Sequence, residues 1–196
     1  MTLEQKANEL DSQSSKPIPM GKWLPWVEAA LNNWDSPKEN SSGKNWVFLS
    51  PRFRAAATLR GAAVERILDS KQGARPYKIA PTSLHPAHRA LHAIGLCIAS
   101  QKPTLVVVGI AALANGSFHE ALNILALRQV PVCFLLLEEK LTKEAPVGQQ
   151  FGGNIEALCA VYDLEYIQAD ADLAPYEALK ALKEPCSSAR LVHLSI

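Results

Sequence analysis

Two short runs in the middle of the chain, Leu105–Val108 and Val130–Leu137, are apolar and rich in β-branched residues. Each is too short for a helix and too uniformly apolar for a half-exposed strand, so each reads as a strand covered on both faces. Between them Phe118, Ala121, Leu122 and Leu125 recur at helical spacing. Asn115-Gly116-Ser117 opens that segment, and Ser117 with Glu120 offers a capping box. Strand, helix and strand in so short a span make a right-handed βαβ unit, the seed of a parallel sheet.

The same reading extends outward. It predicts strands at Trp46–Leu49, Leu164–Gln168 and Arg190–Ser195. It predicts helices at Trp23–Trp34, Arg52–Ser70, Pro86–Ser100, Gln149–Tyr162 and Pro175–Lys183. Pro86 occupies the favoured first helical position, with Ala87, Ala90, Leu91, Ile94 and Ile98 turned inward. Alternating strands and helices predict an α/β protein, a three-layer α/β/α sandwich on a mainly parallel sheet. Residues 1–20 read as a flexible arm before a single domain at 21–196. The tryptophans of the first helix are expected to dock on the domain's own sheet.

Composition narrows the function classes. A formal charge of +1 over 196 residues argues against a surface that seeks nucleic acid or membrane. No apolar run reaches membrane-spanning length. The polar first twenty residues, with Glu4, Glu9 and Asp11, fit neither a secretory signal nor a transit peptide, which predicts a cytoplasmic protein. Cys97, Cys133, Cys159 and Cys186 are widely spaced and are expected to be reduced core residues. His88 and His92 share a helix face and His85 precedes it, so these three are weak metal candidates without a recognisable ligand motif. Arg52, Arg54 and Arg60 form either an anion site at a helix start or a solvated basic face.

The central segment also carries a resemblance. Gly-Ser-Phe-His-Glu-Ala-Leu-Asn at 116–123, followed by Val130-Pro131-Val132, is similar to the cofactor segment of thiamine-diphosphate enzymes. It most resembles the alpha subunit of the 2-oxoacid dehydrogenase first component, and the likeness spans about 46–196. The resemblance implies the diphosphate-binding half of a thiamine enzyme, with the active site shared with a pyrimidine-domain (beta-type) subunit. In that family Gly-Asp-Gly ends the first strand and Asn-Asn follows the second, and the Asp and an Asn hold the magnesium that grips the diphosphate. Here those positions carry Gly109-Ile110-Ala111 and Glu138-Glu139. A family Tyr-Arg pair that meets the diphosphate corresponds to Pro51-Arg52, and the family's Asp-His to Phe53-Arg54. A His-bearing loop follows the family's last strand, where this sequence reaches Ile196.

Ile110 offers no oxygen to a hard cation. The sequence therefore implies a non-catalytic relative that holds neither thiamine diphosphate nor magnesium and acts through subunit association. The alternative is an alpha-type subunit of a thiamine-diphosphate-dependent dehydrogenase with a remodelled cofactor site. For association the expected surface is the helix after Gly109, through Phe118, Ile124 and Leu127, pairing with a second copy or with a beta-type subunit.

Overall fold

In a computed structural model, the structure describes residues 5, 24–34, 45–63, 75–81, 83, 85–138, 146–170, 180, 182 and 187–195. The expected arm at 1–20 and the helix at Pro175–Lys183 lie almost wholly outside these residues, as does Cys186. The chain runs α1 (Leu24–Trp34), β1 (Trp46–Phe48), a 3-10 helix (Pro51–Arg60), α2 (Pro86–Ser100) and β2 (Thr104–Gly109). A 3-10 turn (Ile110–Ala112), α3 (Gly116–Arg128), β3 (Val132–Glu138), α4 (Val147–Gln150), α5 (Ile155–Val161), β4 (Glu165–Asp170) and β5 (Arg190–Ser195) follow. A short 3-10 turn (Arg75–Tyr77) precedes α2.

The five strands form one sheet in the order β1-β2-β3-β5-β4, and every adjacent pair is parallel. Alternation along the strands splits the core into two layers. Val47, Leu105, Val107, Cys133, Leu135 and Val192 meet Val27, Ala30, Leu31 and Trp34 of α1 and Phe53 of the 3-10 helix. Phe48, Val106, Val108, Phe134, Leu136 and Leu191 meet α2, α3 and α5 on the opposite face. Right-handed crossovers explain the division. The connections β1→β2, β2→β3 and β3→β4 advance across the sheet and place α2, α3 and α5 on one face. Leu182, between β4 and β5 in the chain, is buried in the α1 layer on the other face.

The α/β/α sandwich and its parallel sheet are as expected, and α1 docks on its own domain through the buried Trp34 and the partly buried Trp26. Cys97, Cys133 and Cys159 are buried free thiols. Several local expectations are corrected. In the described part of the helix expected at Arg52–Ser70 there is a 3-10 helix, Pro51–Arg60, that closes at Gly61; residues 64–70 lie outside the described residues. Gly61 adopts φ +90°, its N–H donates to the Thr58 carbonyl, and Ala62 N–H donates to Ala57. That left-handed closure ends the helix, and glycine takes the conformation without a Cβ clash. The helix expected at Gln149–Tyr162 is split into α4 and α5. Gly152 and Gly153 interrupt it, and Asn154 starts α5 by accepting the Ala157 N–H at 2.8 Å. The cap of α3 is Asn115, whose side chain accepts the Ser117 N–H at 3.0 Å, in place of Ser117.

Candidate functional site

Open parallel sheets take ligands at the carboxyl ends of their strands. Here β1 leaves toward the α1 face, because Phe53, Ala56 and Ala57 of the following 3-10 helix are buried there. β2 leaves toward the opposite face, where Ile110 and Ala112 are buried. The crevice between the ends of β1 and β2 is thus a point where successive connections diverge. The first turn of α2 and the capped start of α3 border this end, joined by a 3.4 Å contact between His85 Nε2 and Asn115 Nδ2.

The residues aligned with the family's diphosphate site have different occupations. Gly109 and Ala111 are exposed at the end of β2. Ile110 between them is 2% exposed and lies in the same apolar cluster as Val108, Leu113 and Phe118. The first 3-10 turn after β2 folds this side chain into the core. Glu138, the last residue of β3, directs its Oε2 to His193 Nε2 at 2.6 Å. Glu139 lies outside the described residues, and so do the side chains of Arg52 and Arg54. Arg60 is buried and donates through Nη1 to the carbonyls of Asn45, Tyr77 and Lys78 at 2.8–3.2 Å. It ties the start of β1 to the Arg75–Lys78 turn, so Arg60 lies on neither a solvated basic face nor an open anion site but braces the chain.

The histidines are brought together only in part. His85 and His88 stack with ring centroids 4.2 Å apart. His92 is exposed on the same helix, and His119 Nε2 lies 2.9 Å from the Leu113 carbonyl oxygen. Among the described residues no three acidic, histidine or cysteine side chains are placed to share a metal ion. Of the surface expected on α3, Phe118 is fully covered by its own chain, Ile124 is half-buried and Leu127 is 75% exposed.

The sequence reading passed over a polar network beside Glu138. His193 pairs in register with Leu136 of β3 and Gln168 of β4, so all three side chains share the helix-covered face with Glu138 and Tyr166. The Tyr166 hydroxyl lies 2.8 Å from His193 Nδ1 and 3.1 Å from Gln168 Oε1, and its single proton serves one of them at a time. With Nε2 donating to the Glu138 carboxylate, the neutral ring leaves Nδ1 as an acceptor for Tyr166. Burial pulls the His193 pKa below its usual value, against the opposing pull of Glu138. Burial, then the charges of Cys159, Glu156 and Glu138, pushes Tyr166 up to about 12. The Cys159 thiol, on α5, is pushed to about 11 by burial and by Glu156. The network is therefore a neutral relay from a carboxylate to a phenol that keeps its proton. A lone histidine between Leu191-Val192 and Leu194 was the available signal, since a buried imidazole requires partners.

A magnesium-bound diphosphate does not fit these residues. The position that the resemblance aligns with the metal-binding aspartate is an isoleucine packed in the core, and the carboxylate at the end of β3 is bonded to His193.

No family model matches this sequence, and no curated protein matches it. Among solved structures it is similar to transketolase from Campylobacter jejuni subsp. jejuni, with a TM-score of 0.66 and 13% sequence identity. That similarity covers 98% of this chain and 37% of the transketolase chain, so the protein spans little more than a third of that enzyme's length. At this identity the likeness concerns architecture alone: the chain has the α/β fold of thiamine-diphosphate enzymes.

Proposed function

We propose that this protein is a relative of the 2-oxoacid dehydrogenase alpha subunit that has given up its cofactor and works through association. The observation that carries the reading is Ile110, which stands where the resemblance places a metal-binding aspartate and is 2% exposed in the core. The bond from Glu138 to His193 adds to it, because that carboxylate is committed within the chain. Association through α3 would use Leu127, which is 75% exposed, beside the half-buried Ile124. The partner is a second copy of the chain or a pyrimidine-domain subunit.

Sedimentation velocity tests the reading. At tens of micromolar the protein should sediment as a dimer or larger, unchanged by thiamine diphosphate and magnesium. Leu127→Glu should sediment as a monomer that still unfolds in one cooperative transition, with a midpoint that no longer depends on protein concentration. A monomeric parent protein would refute self-association, and a cofactor-dependent change in assembly would refute the loss of the cofactor.

A further inference from the structure

The two edges of the sheet are finished differently. At the β1 edge the chain covers itself: Val47 N–H donates to the Lys78 carbonyl at 2.9 Å, and Ala80 N–H donates to the Val47 carbonyl at 3.0 Å. At the other edge, β4 pairs with β5 alone, Glu165–Asp170 against Arg190–Ser195. The Glu165 N–H donates inward to the Ala189 carbonyl. Backbone direction alternates along a strand, so Glu165, Ile167 and Ala169 turn their amides and carbonyls to β5, while Tyr166 and Gln168 turn theirs outward. Among the described residues no backbone group meets those of Tyr166 and Gln168 from outside, and Gln168 is exposed.

Edge strands in folded proteins are ordinarily blunted by brevity, a proline, a lysine or a bulge. β4 carries none of these. It is six residues long, Glu-Tyr-Ile-Gln-Ala-Asp, and its register with β5 is unbroken. Its acidic residues stand at the two ends, and Glu165 is already engaged by Arg190 Nε at 2.6 Å. On the opposite face the Tyr166 hydroxyl meets His193 Nδ1 at 2.8 Å. β4 is thus pinned to β5 from both faces, and its outward backbone groups are held extended before any partner arrives.

We propose that β4 pairs antiparallel with β4 of a second copy, joining two sheets edge to edge about a two-fold axis at Ile167. In that register Tyr166 lies opposite Gln168 of the other copy, and the outward amide and carbonyl of each bond those of the other. Ile167 opposes its own counterpart as a non-hydrogen-bonded pair, where side chains approach closest and β-branched residues stabilise the contact. Glu165 falls opposite Ala169, so no like charges meet. Shifting the register one way sets the Glu165 carboxylate against Ile167, and shifting it the other way loses the isoleucine pair. This contact is separate from the α3 surface above and does not rest on it. One strand against one strand is small beside the roughly 1,000 Å² of a stable interface, so the pairing belongs to hundreds of micromolar and above.

The experiment is amide hydrogen exchange of the full chain, read residue by residue by NMR from micromolar to millimolar concentration. The Ile167 and Ala169 amides, bonded to β5, should exchange slowly throughout. The Tyr166 and Gln168 amides should exchange fast when dilute and slow severalfold at millimolar concentration. Gln168→Pro removes an outward donor that β5 does not use, and should abolish the slowing at Tyr166. Ile167→Lys sets like charges opposite each other and should abolish it at both residues, which decides the matter if Gln168→Pro does not fold. Leu127→Glu, altered on α3, should keep the slowing, which separates this contact from that one. Slow exchange of Tyr166 and Gln168 at every concentration would show the edge closed within one chain, and fast exchange at every concentration would show it open but unpaired. Either result would overturn the proposal, as would slowing that both β4 variants retain.

Discussion

Replacing Ile110 by aspartate recreates the residue that the resemblance places at the metal position, and the structure predicts a large loss of stability. Ile110 is 2% exposed among Val108, Leu113 and Phe118. Removing a buried isoleucine side chain costs about 2–5 kcal/mol in transfer and cavity terms. The new carboxyl would also have to remain protonated in that environment. Holding an acid of ordinary pKa about 3.9 neutral at pH 7 costs roughly 3 units at 1.36 kcal/mol each, about 4 kcal/mol. The sum, about 6–9 kcal/mol, is comparable with the whole stability of a typical domain. The folded-state pKa of such a group is raised, so the ionisation part of the penalty should be small near pH 4 and grow as the pH rises, over a transfer and cavity cost that stays. Ile110→Asn, which has no charge, should lack that pH dependence and lose only the transfer, cavity and amide-burial terms. Urea denaturation of both variants at pH 4.5 and pH 7, with unchanged m, is the assay. An Ile110→Asp protein within about 1 kcal/mol of the parent at pH 7 would refute the reasoning, because position 110 would then face solvent or a polar site.

Glu138→Gln should cost roughly 1.5–3 kcal/mol by chemical denaturation, the range for a hydrogen bond to a charged group, since it weakens the 2.6 Å bond to His193. The same network sets a pH dependence. Burial holds His193 below its ordinary 6.5, so the unfolded chain takes up a proton first and stability should fall as the pH drops below about 6.5. His193→Asn should flatten that slope, whereas a parent protein that gains stability on acidification would show the imidazolium–carboxylate pair to be dominant.

The parts of the fold that were legible in the sequence are those where local chemistry and burial agree. Pro86 at the first helical position and the stripe Ala87, Ala90, Ile94 fix α2 at Pro86–Ser100, as the pattern predicts. Uniformly apolar runs identify β2 and β3 because both faces of the sheet are covered. The single helix expected across Arg52–Ser70 is interrupted at Gly61, because that residue takes a left-handed conformation which closes the 3-10 helix at Arg60. At the candidate site, Ile110 and Glu138 were visible as departures from a family pattern, but the direction of their side chains was not. His193 lies 55 residues from Glu138 and 27 from Tyr166, and only the β3-β5-β4 order brings the three together.

The central claim, that the carboxyl end of this sheet is closed to the cofactor its fold serves elsewhere, is tested most directly by calorimetric titration. Thiamine diphosphate with magnesium, titrated to millimolar concentration, should give no saturable heat beyond that of magnesium and orthophosphate together. A saturable isotherm that requires both thiamine diphosphate and magnesium, and that Ile110→Val preserves, would contradict the account.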